Sequence, residues 1–266
     1  MNLKTAAIEK TMIKPVFNTR LRRNNIRLQV FLSHAGVSSR RAAEGIIAQG
    51  RVSVNGITIT SMGAKVKDGD IINLDGKPLQ LETRLLYLAL NKPSGYICAC
   101  APVDSHKEKP QAADLEGRPL AISLLPKDIK ERLYNIGRLD FLSCGLIFFT
   151  NDGKFAARLG HPSCGIEKEY LVEASGHIPN IAIEAFNKGI TIEDIHYRAK
   201  LAERVNRKTI RVILIEGKNR EIRRVFSHFH LHALTLKRIR IGPVLLGGLQ
   251  EGQTRHLTEE ELSKLN

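Results

Sequence analysis

The sequence contains few cysteines and no long apolar run. Four cysteines stand among 266 residues, too few for the disulfide framework of a small secreted domain. They form no C-x-x-C pair, so we expect no structural zinc and no bound metal. A stretch of about 18 apolar residues, which a transmembrane helix needs, is missing. The first residues, MNLKTAAIEKTMIKP, lack the apolar core of a secretory signal, and we expect a cytoplasmic protein.

The chain is also poor in acidic residues. It has 27 Asp and Glu against 41 Lys and Arg, a formal net charge of +14. The hydrophobic share of 42% and charged share of 26% are typical of a globular protein, and the length suits two domains. The positive charge favours a polyanionic partner, nucleic acid first and an anionic membrane surface second.

The chain begins with a basic segment. Residues 1–25 contain six Lys and Arg and one Glu, with little apolar periodicity. We predict a basic tail that binds phosphate nonspecifically. The alternative is an extension without a function.

Residues 26–79 carry the pattern of a compact module. Apolar residues at helical spacing predict one helix that stops at Gly36 and a second helix for which Ser38 and Ser39 are the candidate N-caps. The segment VSVNGITI then alternates around Asn55-Gly56, a strong hairpin signal because both turn residues need positive φ. The pattern therefore predicts two short helices followed by a small sheet.

The same module resembles a known RNA binder. Its helices and first strands read RLQVFLSHAGVSSRRAAEGIIAQGRVSVNG, followed by KVKDGDII. This is similar to the alpha-L RNA-binding module first described in ribosomal small-subunit protein four, over about residues 26–75. The resemblance implies that the helix pair grips structured RNA. The candidate RNA-binding residues here are Arg40 and Arg41 at the start of the second helix and Arg51 at the entry to the first strand. Arginines at a helix N-terminus suit phosphate; a solvated charged face is the alternative for all three.

A larger second domain is predicted beyond a short linker. Residues 80–84 belong to a polar stretch, and residues 85–260 alternate short strands with helices. Residues 146–150 are apolar and rich in Phe, which predicts a buried strand, and residues 233–241 predict another. The expected class is α+β, with a small N-terminal module and a larger domain built on a mixed or antiparallel central sheet.

One segment of the second domain suggests chemistry. It reads GRLDFLSCGLIFFTNDG over residues 137–153 and places Asp140 between two apolar residues. A carboxylate in such a setting is costly to bury unless another group pairs with it. The residues alone leave two interpretations open, an exposed turn aspartate or a paired functional one.

Three further segments occur in order around this one. They are YLALNKPSGY from residue 87, HPSCGIEKEYLV at 161–172 and EGKNREIRRVF at 216–226, the last followed by LTLKRIRIGPVLLGGLQEGQTRHLT. Together they resemble the motifs of rRNA pseudouridine synthases that carry an N-terminal alpha-L module, and in particular the large-subunit, 23S rRNA enzymes. The resemblance covers about residues 26–260. It implies isomerisation of a chosen uridine to pseudouridine without a cofactor.

The resemblance also implies roles for three residues. Asp140 corresponds to the catalytic aspartate, whose action as a nucleophile on the base, a nucleophile on the sugar or a base for the ribose C2′ proton stays open. Tyr170 corresponds to a tyrosine that packs on the target base, with a core strand tyrosine as the alternative. Arg223 corresponds to an arginine that pairs with the aspartate, with a surface arginine as the alternative. A guanidinium can hold a carboxylate through two hydrogen bonds and favours its charged form.

Other basic positions are candidates for RNA contacts. Arg138 stands next to the catalytic segment and could fill the gap of a flipped nucleotide or hold a phosphate. Lys92 matches a motif position in a loop shaped by proline and glycine, and support of the catalytic loop is the alternative to a direct role. Residues 204–240 hold eleven Lys and Arg against two Glu, which indicates an RNA cleft. The RNA-binding candidates of this segment are Lys218, Asn219, Arg220 and Arg224.

We therefore expect a cofactor-independent isomerase that acts as a monomer on rRNA or on a ribosomal assembly intermediate. The expected target is 23S rRNA, and 16S rRNA is the alternative. An inactive rRNA-binding assembly factor is disfavoured because Asp140, Tyr170 and Arg223 occur together. A basic DNA-binding protein is disfavoured because the N-terminal module resembles an RNA binder.

Overall fold

The structure, a computed structural model, describes residues 25–99, 113, 114 and 116–265. The predicted basic tail lies outside these residues, except for Asn25. The N-terminal part has two helices and six short strands. In chain order these are β1 Ile26–Arg27, α1 Leu28–His34, α2 Arg40–Ala48, β2 Val52–Val54, β3 Ile57–Ile59, β4 Lys65–Val66, β5 Ile72–Leu74 and β6 Lys77–Pro78.

The local signals of this part are confirmed. The Ser39 side chain accepts a hydrogen bond from Ala42 N at 3.2 Å and caps α2. Asn55 and Gly56 have φ of 51° and 82° and join β2 to β3. The strands form an antiparallel sheet in the order β3-β2-β5-β6, and β1 pairs with β4. A separate apolar cluster lies between helices and sheet, made of Leu28, Phe31, Leu32, Ala43, Ile47, Val52, Val66 and Ile72.

The larger part contains the remaining elements. Its strands are β7 Tyr87–Lys92, β8 Tyr134–Ile136, β9 Cys144–Thr150, β10 Lys168–Ala174, β11 Ile190–Ile192, β12 Ile195–Tyr197, β13 Leu201–Arg204, β14 Thr209–Leu214, β15 Ala233–Ile241, β16 Val244–Leu245 and β17 Thr254–His256. Its α-helices are α3 Gly153–Gly160, α4 Asn180–Lys188, α5 Glu221–His228 and α6 Glu259–Leu265. Two 3₁₀ turns occupy Ala121–Leu124 and Pro162–Cys164.

All of these strands except β11 and β12, which form a separate hairpin, build one mixed sheet, as expected for the fold class. The order is β13-β14-β10-β15-β9-β7-β17, with β16 beside β15 and β8 beside β9. Strand β9 runs parallel to β15 and antiparallel to β7 and β8. The segments that carry Asp140 and Tyr170 are thereby brought to β9 and β10, on either side of β15, and Arg223 lies on the helix α5.

Both faces of the sheet are covered. Along β9, Ile147 and Phe149 join the apolar cluster under α4 and α5, whereas Leu146 and Phe148 join the cluster under α3 and α6. This alternation follows from the period of two along a strand. It explains why β9 is apolar at nearly every position, as expected for a strand buried on both sides.

Several elements have no clear sequence signal. The hairpin β11–β12 and the strands β16 and β17 are two or three residues long, too short for a detectable alternation. Helix α6 continues to Leu265, which is buried in the cluster under α3.

The predicted linker contacts both parts of the chain. Glu82 N donates to the His34 carbonyl at 3.1 Å. The Glu82 carboxylate accepts hydrogen bonds from Arg132 N at 2.9 Å and from Asn151 Nδ2 at 2.8 Å. Burial raises the pKa of this carboxyl from its usual value, and the two hydrogen bonds oppose the rise. The segment between the two parts is therefore anchored at Glu82.

Candidate active site

Asp140 lies in a tight turn just before β9, and residues 140–143 are called the Asp140 turn below. Ser143 N donates to the Asp140 carbonyl at 3.0 Å and closes the turn, and Gly95 N donates to the Phe141 carbonyl at 2.8 Å. The backbone is thus held from both sides. The Asp140 side chain is 34% exposed, so its carboxylate is open to a ligand while its backbone is fixed.

Arg223, on α5, is the cation that faces this carboxylate. Its Nε lies 3.8 Å from Asp140 Oδ2, and its side chain is only 12% exposed. The expected two-pronged contact is not formed, because the terminal nitrogens are engaged elsewhere. Nη1 donates to the Ala233 carbonyl at 3.0 Å. Nη2 donates to the Leu142 carbonyl at 3.0 Å and contacts Ser143 Oγ at 3.3 Å.

This arrangement leaves one donor of Arg223 available. Its Nε is buried and has no hydrogen-bond partner among the described residues. Burial lowers the pKa of the Arg223 guanidinium from its usual value, the Asp140 carboxylate opposes this shift, and Arg220 adds to it. Arg223 therefore fixes the Asp140 turn through its terminal nitrogens and offers its charge and Nε to the carboxylate.

Tyr170 lies on β10 and belongs to the apolar cluster of the larger part, with 8% of its surface exposed. A register shift against β15 falls between Glu169 and Tyr170, a local feature that changes the direction of a side chain. Among the described residues, no hydrogen bond or ion pair joins Tyr170 to Asp140 or Arg223. The tyrosine is mostly buried, and the polar group that its hydroxyl contacts is the guanidinium of Arg238.

Arg238 is one of the basic residues of segment 204–240, which from the sequence were interpreted together as an RNA cleft. It is 2% exposed, and its Nε donates to the Leu146 carbonyl at 2.6 Å. Its Nη1 lies 3.5 Å from the Tyr170 hydroxyl. The signal that could have placed it inside is the alternation along β15, where Leu236 and Arg238 share one face and both are buried.

Lys92, at the end of β7, is a second buried cation. It has no exposed surface, and its Nζ donates to the Pro93 carbonyl at 2.8 Å. Burial lowers the pKa of its ammonium, while Cys98, Cys144 and Asp140 oppose this shift. The Asp140 carboxylate and the buried Lys92 ammonium are thus close enough to interact electrostatically.

The predicted RNA-binding residues differ in their surroundings. Six of them are exposed, namely Arg40, Arg41, Arg138, Lys218, Asn219 and Arg220. Arg51 is held by Asp75 at 2.5 Å and Arg224 by Glu193 at 2.7 Å. Lys218 lies 3.5 Å from Glu216 and donates to the His196 carbonyl. Their charges are therefore available to different degrees.

The basic segment 204–240 presents fewer free charges than its composition indicates. Arg211 pairs with Glu203 at 2.6 Å and lies 3.4 Å from Glu169. Arg240 pairs with Glu169 at 2.6 Å and with Glu167 at 3.0 Å. These arginines are partly neutralised within the sheet, so less free positive charge remains in this segment for the predicted RNA cleft.

A cavity of about 460 Å³ opens beside Arg223. It is lined by Ile192, Glu193, Arg220, Arg223, Arg224, Ser227 and His228. The cavity carries three arginines against one glutamate, and that glutamate is already paired. Its chemistry suits a phosphate or another anion next to the Asp140 turn.

Neither a metal-ligand cluster nor a membrane-spanning helix occurs in the described part of the chain. Within it, no three His, Cys, Asp or Glu side chains are grouped as metal ligands. No described helix has both the length and the apolar character that crossing a bilayer requires.

Comparison with known proteins identifies the two parts. Residues 86–228 match the family described as RNA pseudouridylate synthase, and residues 26–72 match the S4 domain. The first match contains Asp140, Tyr170 and Arg223. The second contains both N-terminal helices.

Relatives match over most of the chain. An RNA pseudouridine synthase of Borreliella burgdorferi is 42% identical over 90% of this chain and 92% of its own. Ribosomal large subunit pseudouridine synthase B of Bacillus subtilis is 36% identical over 90% of this chain and 95% of its own. The crystal structure of a pseudouridylate synthase, 26% identical, superimposes with a TM-score of 0.64 and covers 91% of this chain and 100% of that one. The chain therefore belongs to the RNA pseudouridylate synthase family of isomerases and carries an S4 domain at its N-terminal side.

Proposed function

We propose that this enzyme converts one uridine of 23S rRNA into pseudouridine. The observation that carries the proposal is the accessible Asp140 carboxylate in front of a buried guanidinium, with Arg223 Nε at 3.8 Å. The names of relatives such as the Bacillus subtilis protein support the large-subunit target. A site in 16S rRNA is the alternative that the experiment below distinguishes.

The proposed reaction rearranges bonds within one nucleotide. The bond between N1 and C1′ breaks, the base turns, and a bond between C5 and C1′ forms. C5 loses a proton and N1 ends with one, so nothing is oxidised, reduced or hydrolysed. We assign to Asp140 the role of nucleophile or base, which requires the ionised form. Arg223 places its positive charge next to this carboxylate, with Nε at 3.8 Å from Oδ2.

The target base must leave the RNA stack before this chemistry can occur. We assign to Tyr170 the surface on which the turned-out base packs, because an aromatic face offsets part of the lost stacking. Arg138 is exposed beside the Asp140 turn. We assign to it one of two roles: it fills the space that the flipped nucleotide leaves, or it binds a flanking phosphate.

The remaining RNA contacts are assigned to both parts of the chain. Residues 26–79 act as the RNA-binding domain, residues 80–84 as the connection and residues 85–260 as the catalytic domain, and residues 1–25 add a basic tail. In the RNA-binding domain the proposed contacts are Arg40, Arg41 and Arg51. In the catalytic domain they are Lys218, Asn219, Arg220 and Arg224. The cavity next to Arg223 supports a phosphate position near the target. The enzyme acts as a monomer on rRNA.

A salt titration tests the assignment of Arg220. Each phosphate contact contributes roughly 0.7 to 0.9 to the slope of log affinity against log salt. Arg220→Ala should therefore reduce the slope by about that amount. Arg211→Ala is the matched control, because Arg211 is already paired with Glu203 and Glu169. Equal slopes for wild type and Arg220→Ala would remove Arg220 from the interface.

Mapping of pseudouridines tests the function itself. Ribosomal RNA from cells with and without the protein is compared, and the purified enzyme is then incubated with unmodified 23S and 16S transcripts. We expect one 23S position to be modified only when the enzyme is present, and to stay unmodified with Asp140→Asn. Modification confined to 16S rRNA would establish the alternative target. Tight binding with no new pseudouridine in either RNA would instead indicate an inactive assembly factor.

A further inference from the structure

A buried row of polar residues crosses four neighbouring strands behind the Asp140 turn. Lys92 on β7 pairs with Gly145 on β9, Gly145 pairs with Arg238 on β15, and Arg238 pairs with Tyr170 on β10. Residues directly opposite each other on adjacent strands project to the same face of a sheet. Glycine has no side chain, so the long side chains of Lys92 and Arg238 can extend over that position.

Arg238 connects two strands of the site through separate nitrogens. Its Nε donates to the Leu146 carbonyl of β9 at 2.6 Å, and its Nη1 lies 3.5 Å from the Tyr170 hydroxyl of β10. The guanidinium carbon is 6.0 Å from the centre of the Tyr170 ring, within the range of a cation–π contact. Strand β9 starts directly after the Asp140 turn. Arg238 therefore spans from β9, the strand that follows the Asp140 turn, to β10, the strand that carries Tyr170.

Burying the Arg238 side chain at this position costs folding free energy. Arg238 is 2% exposed and forms no ion pair with a described carboxylate, and its Nη2 has no partner among the described residues. Lys92, without any exposed surface, adds a second positive charge to the same row. A buried charge without a counter-charge lowers the stability of the folded state. A contribution to folding stability therefore does not explain why an arginine occupies this buried position.

We propose that Arg238 is a positioning residue for Tyr170 in the isomerisation. Its guanidinium holds the tyrosine hydroxyl and ring while its Nε fixes the distance to β9, so that the aromatic face stands ready for the base beside Asp140. The inference rests on the proposed function, because it assigns to Tyr170 the contact with the base. A preorganised group contributes more to the rate than one that must be ordered in each turnover.

Substitutions at two arginines of β15 test the proposal. Arg238→Met keeps the length of the side chain but removes all donors, and Arg238→Lys keeps the charge but cannot reach both partners at once. Arg240→Met is the matched control, since Arg240 pairs with Glu167 and Glu169 rather than with Tyr170. We expect a single-turnover rate at saturating RNA that is at least tenfold lower for Arg238→Met, intermediate for Arg238→Lys and unchanged for Arg240→Met. RNA affinity should stay within about threefold.

A double-variant cycle shows whether Arg238 acts through Tyr170. Residues that act as a unit have non-additive effects. In a Tyr170→Leu background, Arg238→Met should change the remaining rate less than threefold. Additive losses would overturn the proposal, and so would a wild-type rate for a folded Arg238→Met enzyme. If Arg238→Met does not fold, Arg238→Lys is used in the same cycle and the same two outcomes decide.

A spectroscopic readout is independent of catalysis. The chain has five tyrosines, so ¹³C labels on the tyrosine rings give few signals, and Tyr170→Phe identifies the one from Tyr170. Arg238→Met should shift this signal and leave the others in place, whereas Arg240→Met should shift none. An unmoved Tyr170 signal would contradict the proposal. If the wild-type enzyme modifies no RNA, the proposed function fails, whereas this spectrum still reports whether Arg238 holds Tyr170.

Discussion

Gly145 faces the main chain of Arg238 so closely that a Cβ placed on it would lie 2.2 Å from the Arg238 carbonyl oxygen and 2.7 Å from its nitrogen. The φ of Gly145 is 102°, outside the range that other residues adopt readily. This contact is the place where β9 runs parallel to β15. The approach of the two strands, and with it the position of the Asp140 turn, depends on the missing side chain.

Gly145→Ala should therefore destabilise the enzyme strongly. Overpacking against backbone and an unfavourable φ together should cost more than about 3 kcal/mol in the free energy of unfolding. Denaturant unfolding of the purified variant measures the loss. Gly247→Ala is the control, because Gly247 has φ of 55° but no atom within 4 Å of the added Cβ. Equal losses for the two variants would show that the positive φ alone, and not the close approach to Arg238, causes the loss of stability.

Asp140→Asn should abolish isomerisation and leave RNA affinity within a few-fold. The amide has nearly the same shape as the carboxylate but cannot act as a nucleophile or base. The backbone hydrogen bonds of the Asp140 turn, from Ser143 N to the Asp140 carbonyl and from Gly95 N to the Phe141 carbonyl, are unaffected by the change. Single-turnover assays and binding titrations with the same RNA check both halves of this expectation. A pseudouridine yield close to that of the wild type would exclude Asp140 as the catalytic residue.

Arg223→Ala should lower the rate more than the affinity. Truncation leaves the carbonyls of Leu142 and Ala233 without their donor and removes the cation next to Asp140. Because Asp140 is partly exposed, solvent offsets some of the lost charge contact, and we expect a rate loss of about tenfold to a hundredfold. Arg223→Lys should recover only part of the rate, since one ammonium cannot form the three hydrogen bonds that the planar guanidinium makes in different directions. Full recovery with lysine would show that only the charge matters.

A fragment of residues 82–266 should fold without the N-terminal module. The apolar cluster of that module is separate from the two clusters of the larger part. The fragment retains Glu82, which bonds to Arg132 N and to Asn151, so it should be more stable than a fragment of residues 85–266. RNA affinity should fall in both. Thermal unfolding and binding titrations test this, and an unfolded fragment 82–266 would disprove two independent domains.

Acidification should weaken the contact between the two parts of the chain through His34. Burial lowers the pKa of its ring from 6.5, Asp152 opposes this, and Arg40 and Lys154 add to it. The unfolded chain then binds the proton more readily than the folded one, so stability falls as pH drops through 6.5 towards the lowered pKa.

His34→Gln should accordingly show a smaller loss of unfolding free energy between pH 7 and pH 5 than the wild type. Denaturant titrations at several pH values measure the difference. The exposed His232→Gln serves as the control and should keep the wild-type profile. An unchanged profile for His34→Gln would contradict the assignment.

Short-range sequence patterns and the order of the motifs were sufficient to predict several elements of the fold and the family. The cap at Ser39, the turn at Asn55-Gly56 and the strand β15, whose bounds match the predicted residues 233–241, follow from interactions within a few residues. The order of the motif segments was sufficient to predict the family, which the comparisons confirm. The roles of Asp140, Tyr170 and Arg223 stay predictions until the variants are measured.

Only the tertiary structure decided which charges are buried and what each arginine bonds. Arg238 reaches a carbonyl 92 positions away in the chain, and Arg223 one that is 81 positions away. Composition counts Arg211 and Arg240 as free basic residues, although each pairs with glutamates of neighbouring segments. A residue's charge is fixed by its type, but its solvation and its partners depend on the strands that folding places beside it.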